Sequence, residues 1–210
     1  MTDTVVLLSG GLDSAVLLAS IRQDHRTVYA LSVDYGQRHR RELWSAYQIA
    51  RYYGATNVPV RLPPDLLSGS TLTGDEGLVE GPATVVPGRN LLFASLALSF
   101  AVSRGCQTVY LAPTLDDRPV YPDCRAEFWE AVTSAAVQGY QIEVRVPFVG
   151  ITKRDVVSLG RRLAVPFDMT WSCYDPQGYD PLAPASGRPC SRCGACVIRR
   201  QAETVSGPQL

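Results

Sequence analysis

The sequence lacks an excess of either charge. Its 210 residues carry 20 Lys and Arg against 20 Asp and Glu, which gives a formal net charge of +0 at pH 7. Proteins that bind nucleic acid through the phosphate backbone are usually strongly basic. The balance therefore argues against a broad nucleic-acid surface, and we expect no direct nucleic-acid partner.

Long apolar runs are also missing, because none approaches the roughly 18 residues that a membrane-spanning helix needs. The first residues enter a strand-like run without the basic region and cleavage site of a secretory signal. We therefore expect a cytoplasmic protein that does not associate with membranes. Its composition, 46% hydrophobic and 19% charged, is typical of a globular protein and excludes a disordered or fibrous chain.

Cysteine is sparse over most of the chain, where Cys106 and Cys124 stand alone, and ordinary packing is the simplest role for Cys106. The other four cysteines cluster near the C-terminus: Cys173, Cys190, Cys193 and Cys196. Two successive C-x-x-C spacings and a further upstream thiolate predict a closed tetrahedral site, which suits one structural Zn²⁺. An iron–sulfur cluster is the alternative, since thiolates also bind those clusters.

Apolar runs bounded by turn residues alternate with segments of helical period, which predicts a parallel sheet covered by helices. The predicted strands are 4–8, 28–33, 57–61, 108–111 and 142–146. The predicted helices are 12–21, 38–52, 90–102, 125–138 and 152–162. Ala46, Ile49 and Ala50 mark the inner face of the second helix, and the nearly all-apolar 90–102 segment is predicted to be buried on several sides.

Two segments interrupt this alternation. Residues 63–87 are rich in Gly, Pro, Ser and Thr, and a loop of this length suggests a lid over a substrate. The alternation stops after Pro166, so we expect an α/β domain over 1–167 and a metal-binding segment with a frayed tail over 168–210.

The strongest motif is Ser9-Gly10-Gly11-Leu12-Asp13-Ser14, between the first strand and the first helix. Glycines let the backbone approach an anion, and the free N–H groups at a helix start face that turn. The motif lacks the lysine of the GxxxxGK[ST] loop and the third glycine of GxGxxG, which disfavours both of those nucleotide sites. The plainer alternative is a glycine turn in which Asp13 or Ser14 caps the helix.

This motif resembles the pyrophosphate-binding loop of the ATP pyrophosphatases. Four further stretches extend the resemblance to the 7-cyano-7-deazaguanine synthases: 34–39 (Asp-Tyr-Gly-Gln-Arg-His), 86–90 (Val-Pro-Gly-Arg-Asn), 121–125 (Tyr-Pro-Asp-Cys-Arg) and 170–174 (Thr-Trp-Ser-Cys-Tyr). The resemblance implies a Rossmann-like fold of the adenine nucleotide alpha hydrolase type, with helices on both faces of the sheet. It also implies a homodimer.

The family's reaction implies ATP with Mg²⁺, a carboxylated deazapurine and ammonia as reactants, and a carbon–nitrogen ligase activity. The substrate carboxylate is adenylated, ammonia displaces AMP to give an amide, and the amide is activated in turn and eliminated to the nitrile. Positioning and electrostatic stabilisation carry most of such a reaction. This agrees with the absence of a Ser/His/Asp or Cys/His pattern.

Site residues follow from the matching positions. The resemblance implies catalytic roles for Ser9, Asp13, Ser14 and Lys153. It implies ATP binding by Leu8, Ser9, Gly10, Gly11, Leu12, Asp13, Ser14, Arg89 and Asn90. It implies substrate binding by Tyr35, Gln37, Arg38, Asp117, Tyr121, Asp123 and Arg125. His39, taken alone, is expected to be a solvated residue at a helix start, and Cys124 is expected to form a pocket wall rather than to act as a nucleophile.

Three alternatives remain open. Ala112-Pro113 and Pro119-Val120 replace the Gly-Val and Ser-Gly pairs usual in the family, which motivates a homologue that stops at the amide or uses a related carboxylate in a nucleic-acid modification or defence pathway. A tRNA-thiolating ATP pyrophosphatase shares the first motif but typically needs a cysteine pair and an RNA-binding domain. The third alternative is a non-enzymatic nucleotide-binding module.

Overall fold

The fold is seen in a computed structural model that describes residues 2–74 and 77–205. Its strands are β1 (Thr4–Leu7), β2 (Val28–Asp34), β3 (Thr56–Arg61), β4 (Thr108–Tyr110) and β5 (Glu143–Arg145). They form one parallel sheet in the order β3-β2-β1-β4-β5, in which Val5 pairs with Tyr29 on one side and Val109 on the other. The strand order reverses between β1 and β4, where open α/β sheets place their ligand sites.

Six α-helices accompany the sheet within the described residues. They are α1 (Leu12–Ile21), α2 (Arg41–Tyr52), α3 (Arg89–Arg104), α4 (Ala126–Tyr140), α5 (Lys153–Arg162) and α6 (Gly194–Val205). One apolar core lies between the sheet and α1, α2 and α5, and a second core lies between the opposite face and α3 and α4. The parallel α/β fold with helices on both faces is confirmed.

Most of the predicted elements are found within a few residues of their expected bounds. Ala46, Ile49 and Ala50 are buried on α2 as predicted. The helix itself begins at Arg41 rather than at residue 38, because the preceding turn is stabilised by side-chain bonds of Gln37 to Tyr35 and Val33. These bonds offer the backbone an alternative to the helix.

The α3 helix differs from the prediction of burial on several sides. Its buried residues are Ala94, Ala97 and Ala101, whereas Leu91 and Val102 are about half exposed. An 18-residue window within Gly81–Arg104 has a mean hydropathy of 1.5, so by length and composition alone this segment could span a membrane, although no such run was expected. In the fold, its first four residues form a separate 3₁₀ turn, and α3 packs against β1 and β4.

The two irregular segments both contribute to the core. In the 63–87 loop, whose Asp75 and Glu76 lie outside the described residues, Leu67, Leu72 and Val86 are buried. The C-terminal segment contains the helix α6, where a frayed tail was expected, and its Ala202 packs into the core shared by α1 and α5. The expected fraying of residues 206–210 lies outside the described part of the chain.

Candidate active site

The glycine loop joins β1 to α1 and is closed by hydroxyl bonds. The Ser9 Oγ accepts from the Gly11 N–H at 3.1 Å and lies 3.1 Å from the Ser14 Oγ, which donates to the Gly11 carbonyl. Gly10 has a φ of +87°, and a Cβ there would lie 2.1 Å from the Glu42 carbonyl oxygen. A side chain at position 10 is therefore excluded, and the loop lies directly against the start of α2.

Lys153, at the start of α5, joins this loop to the segment that follows β4. Its Nζ lies 3.3 Å from Asp13 Oδ2 and 3.7 Å from Asp117 Oδ1, and its backbone N–H donates to Asp116. Burial alone would lower the pKa of Lys153, but Asp13 and Asp117 raise it above its usual value. The ammonium is therefore kept charged at the glycine loop.

These groups line a pocket of about 380 Å³ beyond the carboxyl ends of β1 and β4. Its volume lies in the range of small-molecule sites. Twelve of the residues singled out from the sequence line it: Leu8, Ser9, Gly11, Leu12, Asp13, Ser14, Tyr35, Arg89, Asn90, Asp117, Tyr121 and Lys153. The Ala112-Pro113 pair and Val120 line it too, so the altered loop does lie at the pocket.

Gln37, Arg38, Asp123 and Arg125 do not line this pocket, although they remain predicted substrate residues. Gln37 is fully buried, and Arg38 contacts Asp175 at 3.4 Å. Asp123 lies in a 3₁₀ turn, and the exposed Arg125 is the N-cap of α4. Gly10 also lies outside the lining, against α2.

Tyrosine side chains form part of the wall. Arg89 donates to the Tyr35 hydroxyl at 3.2 Å, and burial raises the pKa of Tyr35 to about 12. The Tyr121 hydroxyl lies 2.9 Å from Thr84 Oγ1 in the 63–87 loop. Glu80 in the same loop accepts from the Gly194 N–H at 2.8 Å. The predicted lid segment therefore contacts both the pocket and the start of α6.

His39 corrects the expectation of a solvated residue. It is 4% exposed and lines the pocket, with its ring centroid 5.4 Å from that of Tyr174. Burial, together with Arg89 and Arg38, lowers the pKa of His39 to about 3. The imidazole is therefore neutral at physiological pH.

Sequence reasoning missed several other lining residues, among them Glu42, Glu80, Trp171, Ser172 and Tyr174. Trp171 donates its backbone N–H to the Gly10 carbonyl at 2.8 Å, which brings the segment before the first clustered cysteine to the glycine loop. The 170–174 motif carried a signal for Trp171 and Tyr174. The sequence carried no signal for Glu42, because it looks like an ordinary solvent-facing residue at a helix start.

The two isolated cysteines are both buried. Cys124 lines the pocket, and burial raises the pKa of its thiol to about 12. A thiol that stays protonated is a weak nucleophile. This agrees with Cys124 as a pocket wall. Cys106 packs in the core between the sheet and α3 and α4, as expected for ordinary packing.

The four clustered cysteines come together as a candidate metal centre. The sulfur atoms of Cys173, Cys190, Cys193 and Cys196 all lie within 4.8 Å of one another. The Cys190 N–H donates to Cys173 Sγ at 3.2 Å, and the Cys193 N–H donates to Cys190 Sγ at 3.4 Å. Such bonds stabilise thiolates, the form that binds metal. The four donors therefore fit a bound metal ion.

Comparison with known proteins extends over nearly the whole chain. Residues 3–206 match the family model described as "Queuosine biosynthesis protein QueC". The chain is 38% identical to the 7-cyano-7-deazaguanine synthase of Leptospira interrogans, over 97% of this chain and 87% of that protein. It is 39% identical to the synthase of Pseudomonas syringae, over 99% of this chain and 96% of that protein.

Solved structures agree on the fold. The U34-tRNA thiolase NcsA from Methanococcus maripaludis, solved with its [4Fe-4S] cluster, superposes with a TM-score of 0.57 at 17% identity. The match covers 98% of this chain and 72% of that one. At this identity the similarity concerns the α/β architecture alone.

Proposed function

The chain belongs to the QueC family of queuosine biosynthesis proteins, and on that premise we propose that it is an ATP-dependent carbon–nitrogen ligase. It converts 7-carboxy-7-deazaguanine and ammonia into 7-cyano-7-deazaguanine. One observation carries this proposal: Lys153 contacts Asp13 of the glycine loop, and both line the same pocket. The chain is also similar to the synthases over nearly its whole length.

The glycine loop suits the departing pyrophosphate of ATP. The Ser9 and Ser14 hydroxyls and the backbone N–H groups at the start of α1 can donate to phosphate oxygens, and the helix dipole favours the anion. The Lys153 ammonium adds a full positive charge beside them. Arg89 and Asn90 line the same pocket and are proposed to contact the nucleotide.

Two successive activations account for the product. A substrate carboxylate oxygen attacks the α-phosphorus of ATP, and pyrophosphate leaves. The acyl carbon then carries AMP as its leaving group in place of oxide. Ammonia then attacks the acyl carbon, AMP leaves, and the amide forms. The amide oxygen is adenylated by a second ATP, and loss of AMP and protons gives the nitrile. No nucleophile from the protein is required.

The deazapurine is proposed to bind between the tyrosine wall and the altered loop. Tyr35 and Tyr121 offer ring faces or edges, and Asp117 offers a carboxylate to N–H donors. Gln37, Arg38, Asp123 and Arg125 stay proposed substrate residues, acting from outside the pocket lining. No observation favours the amide-forming alternative over the nitrile.

We propose Mg²⁺ with the nucleotide and Zn²⁺ in the cysteine cluster. Asp13 Oδ1 is buried without a hydrogen-bond partner in the described residues, and carboxylate oxygens are ligands that Mg²⁺ prefers. Bound to ATP, Mg²⁺ neutralises phosphate charge. Zn–S bonds of about 2.3 Å require sulfurs roughly 3.8 Å apart, which the cysteine cluster allows. An iron–sulfur cluster would hold the cysteine sulfurs further apart, so we propose zinc. The segment 168–210 is accordingly proposed to be a zinc-binding appendage.

A homodimer and free ammonium as the nitrogen donor complete the proposal. Leu91 and Val102 on α3 and Val137 and Tyr140 on α4 are 47–61% exposed, and both helices cover the same face of the sheet. Exposed apolar surface of this kind is typical of an interface. We propose a cytoplasmic location without nucleic-acid or membrane partners, in keeping with the neutral net charge.

The proposal is tested by mass spectrometry of the products after incubation with ATP, Mg²⁺, ammonium and 7-carboxy-7-deazaguanine. The expected products are the nitrile, AMP and pyrophosphate. Accumulation of the amide without nitrile would favour the amide-forming alternative. An absence of pyrophosphate release with this carboxylate, in a protein that is folded and contains its metal, would overturn the proposal.

A further inference from the structure

Five carboxylates line the pocket, and four of them have a strong donor. Asp13 and Asp117 share the Lys153 ammonium, and Asp116 accepts from the backbone of that residue. Glu80 accepts twice from the Gly194 N–H. The fifth carboxylate belongs to Glu42, and no arginine or lysine of the described residues lies within ion-pair distance of it.

The Glu42 side chain enters the pocket from the first turn of α2, beside the phosphate loop. It is 13% exposed, and its Oε1 accepts from Gln37 Nε2 at 3.0 Å and lies 3.4 Å from His39 Nε2. Within residues 2–74 and 77–205, no hydrogen bond reaches Oε2. One carboxylate oxygen is therefore held by the protein and the other is open to a ligand.

Gln37 has only one orientation in which it can make its contacts. Its Oε1 accepts from the Tyr35 N–H at 2.9 Å, and its Nε2 donates to the Val33 carbonyl at 3.1 Å. The remaining hydrogen on Nε2 therefore points to Glu42. Because Gln37 is fully buried, this bond fixes the position of the carboxylate without neutralising its charge.

The proposed reaction needs a proton acceptor that the phosphate loop does not supply. At neutral pH the nitrogen donor is mostly ammonium, whose nitrogen has no free electron pair and cannot attack an acyl carbon. Lys153 is a cation and therefore a poor acceptor, and Asp13 is engaged with it. A carboxylate without a cationic partner can both attract ammonium and remove its proton.

We propose that Glu42 is the catalytic base that binds ammonium and converts it to ammonia beside the adenylated carboxylate. This inference deepens the proposed function and rests on it. One ammonium proton moves to Glu42. The nitrogen electron pair forms the C–N bond, and the C–O bond to AMP breaks with its electrons on the phosphate. The second proton, from the cationic nitrogen of the adduct, leaves with the AMP phosphate.

The surroundings of Glu42 suit a base that works near neutrality. The groups that face it are Tyr35, Gln37 and His39 from the turn before α2, and Arg89 from α3. Burial raises the pKa of Glu42 to about 7, against the opposing effects of Gln37 and Arg89. Because His39 stays neutral, it does not pair with the carboxylate as a cation.

The test separates the ammonia step from the adenylation step in Glu42→Gln. Without ammonium, exchange of labelled pyrophosphate into ATP reports adenylation, and we expect the variant to stay within about threefold of the wild type. With saturating ammonium, we expect amide formation to fall about 100-fold or more, the range of a lost general base. The wild-type rate should rise with pH and level off above about 7, whereas the variant, which must use free ammonia, should keep rising with pH above 7.

Hydroxylamine provides the decisive control, because it is mostly unprotonated at neutral pH and needs no prior proton removal. We expect Glu42→Gln to form the hydroxamate within about threefold of the wild-type rate. Glu143→Gln, an exposed change on β5 away from the pocket, should match the wild type in every assay.

Four outcomes would overturn the inference. A raised KM for the deazapurine with unchanged kcat would make Glu42 a substrate ligand only. An equal loss with ammonium and hydroxylamine, or a loss of pyrophosphate exchange, would make it a structural residue. Failure of the wild type itself to adenylate the carboxylate would instead refute the proposed function, and this inference with it.

Discussion

The Lys153 ammonium lies 3.3 Å from Asp13 Oδ2, so that the start of α5 is joined to the start of α1 across the carboxyl edge of the sheet. The same ammonium lies 3.7 Å from Asp117. One cation thereby offsets two partly buried carboxylates at the site proposed for pyrophosphate. These two carboxylates keep the ammonium charged and in place beside the glycine loop.

Replacing Lys153 by Met should therefore reduce adenylation. Without the cation, the phosphates of ATP would meet two carboxylates, so we expect pyrophosphate exchange into ATP to fall about 100-fold or more. Arg154→Gln on the exposed side of the same helix is the matched control and should leave exchange unchanged. Full exchange activity in Lys153→Met would contradict a role for this cation in binding phosphate.

The stability of the protein should depend on the ionisation of Glu42. Burial raises its pKa from 4.5 to about 7, so the folded chain binds the proton more tightly than the unfolded chain. Its contribution is therefore full below about pH 4.5 and is lost as the pH rises through 7. The free energy of unfolding of Glu42→Gln, relative to the wild type, should rise by up to about 3 kcal/mol between pH 4.5 and 8.

Urea unfolding at a series of pH values measures this difference. Glu143→Gln serves as the control, because Arg145 lowers the pKa of that exposed carboxyl. A constant difference between Glu42→Gln and the wild type across this range would mean that the Glu42 carboxylate is as well stabilised in the folded chain as in water.

The cysteine cluster should bind about one zinc ion per chain. Cys193→Ser removes one of the four ligands, so we expect it to lose the metal and to be destabilised by about 3 kcal/mol or more. Cys106→Ser, at a buried cysteine outside the cluster, should keep its zinc. Metal analysis and thermal unfolding measure both effects, and iron with acid-labile sulfide in the purified protein would support the cluster alternative.

The exposed apolar side chains of α3 and α4 should form a dimer interface. A charge at Val102 would be buried there without a partner, so Val102→Glu should shift the protein from dimer to monomer in light scattering. Leu182→Glu, at a fully exposed position in the loop between Cys173 and Cys190, should leave the dimer intact. A wild-type monomer at micromolar concentration would refute this prediction.

Local pattern explains which parts of the fold could be predicted. The α1 helix is found over the predicted residues, because a glycine turn precedes it and apolar residues continue through Ile21. The start of α5 was also clear, since the Thr152 hydroxyl and the Asp155 carboxylate cap its first turn reciprocally. The start of α2 was not, because the bonds of Gln37 that replace its first turn depend on a tertiary arrangement.

The candidate site was predictable to a similar extent. Ser9 and Asp13 belong to a glycine motif that signals phosphate chemistry, the family resemblance implies Lys153, and the pocket brings the three together. Glu42 belongs to no such motif, and its sequence context is that of a solvated residue at a helix start. Only the packing of the phosphate loop against α2, which sequence periodicity does not reveal, places its carboxylate in the pocket.

The packing of the phosphate loop against α2 leads to the last prediction, which concerns Gly10. Both Gly10 and Gly69 have left-handed backbones, with φ of +87° and +90°, so alanine is strained at either position. That strain costs about 1 kcal/mol. A Cβ at Gly69 meets no atom within 4 Å, whereas one at Gly10 lies 2.1 Å from the Glu42 carbonyl oxygen. Gly69→Ala should therefore report the strain alone, and Gly10→Ala should add a displacement of α2.

We expect Gly69→Ala to lower the free energy of unfolding by about 1 kcal/mol and to leave pyrophosphate exchange unchanged. Gly10→Ala should lower it by about 3 kcal/mol or more and abolish exchange, because the loop can relieve the clash only by moving away from α2. Urea unfolding and the exchange assay measure the two effects on the same samples. Equal losses of stability in the two variants would mean that α2 yields easily, and the phosphate loop would then not depend on α2 for its position.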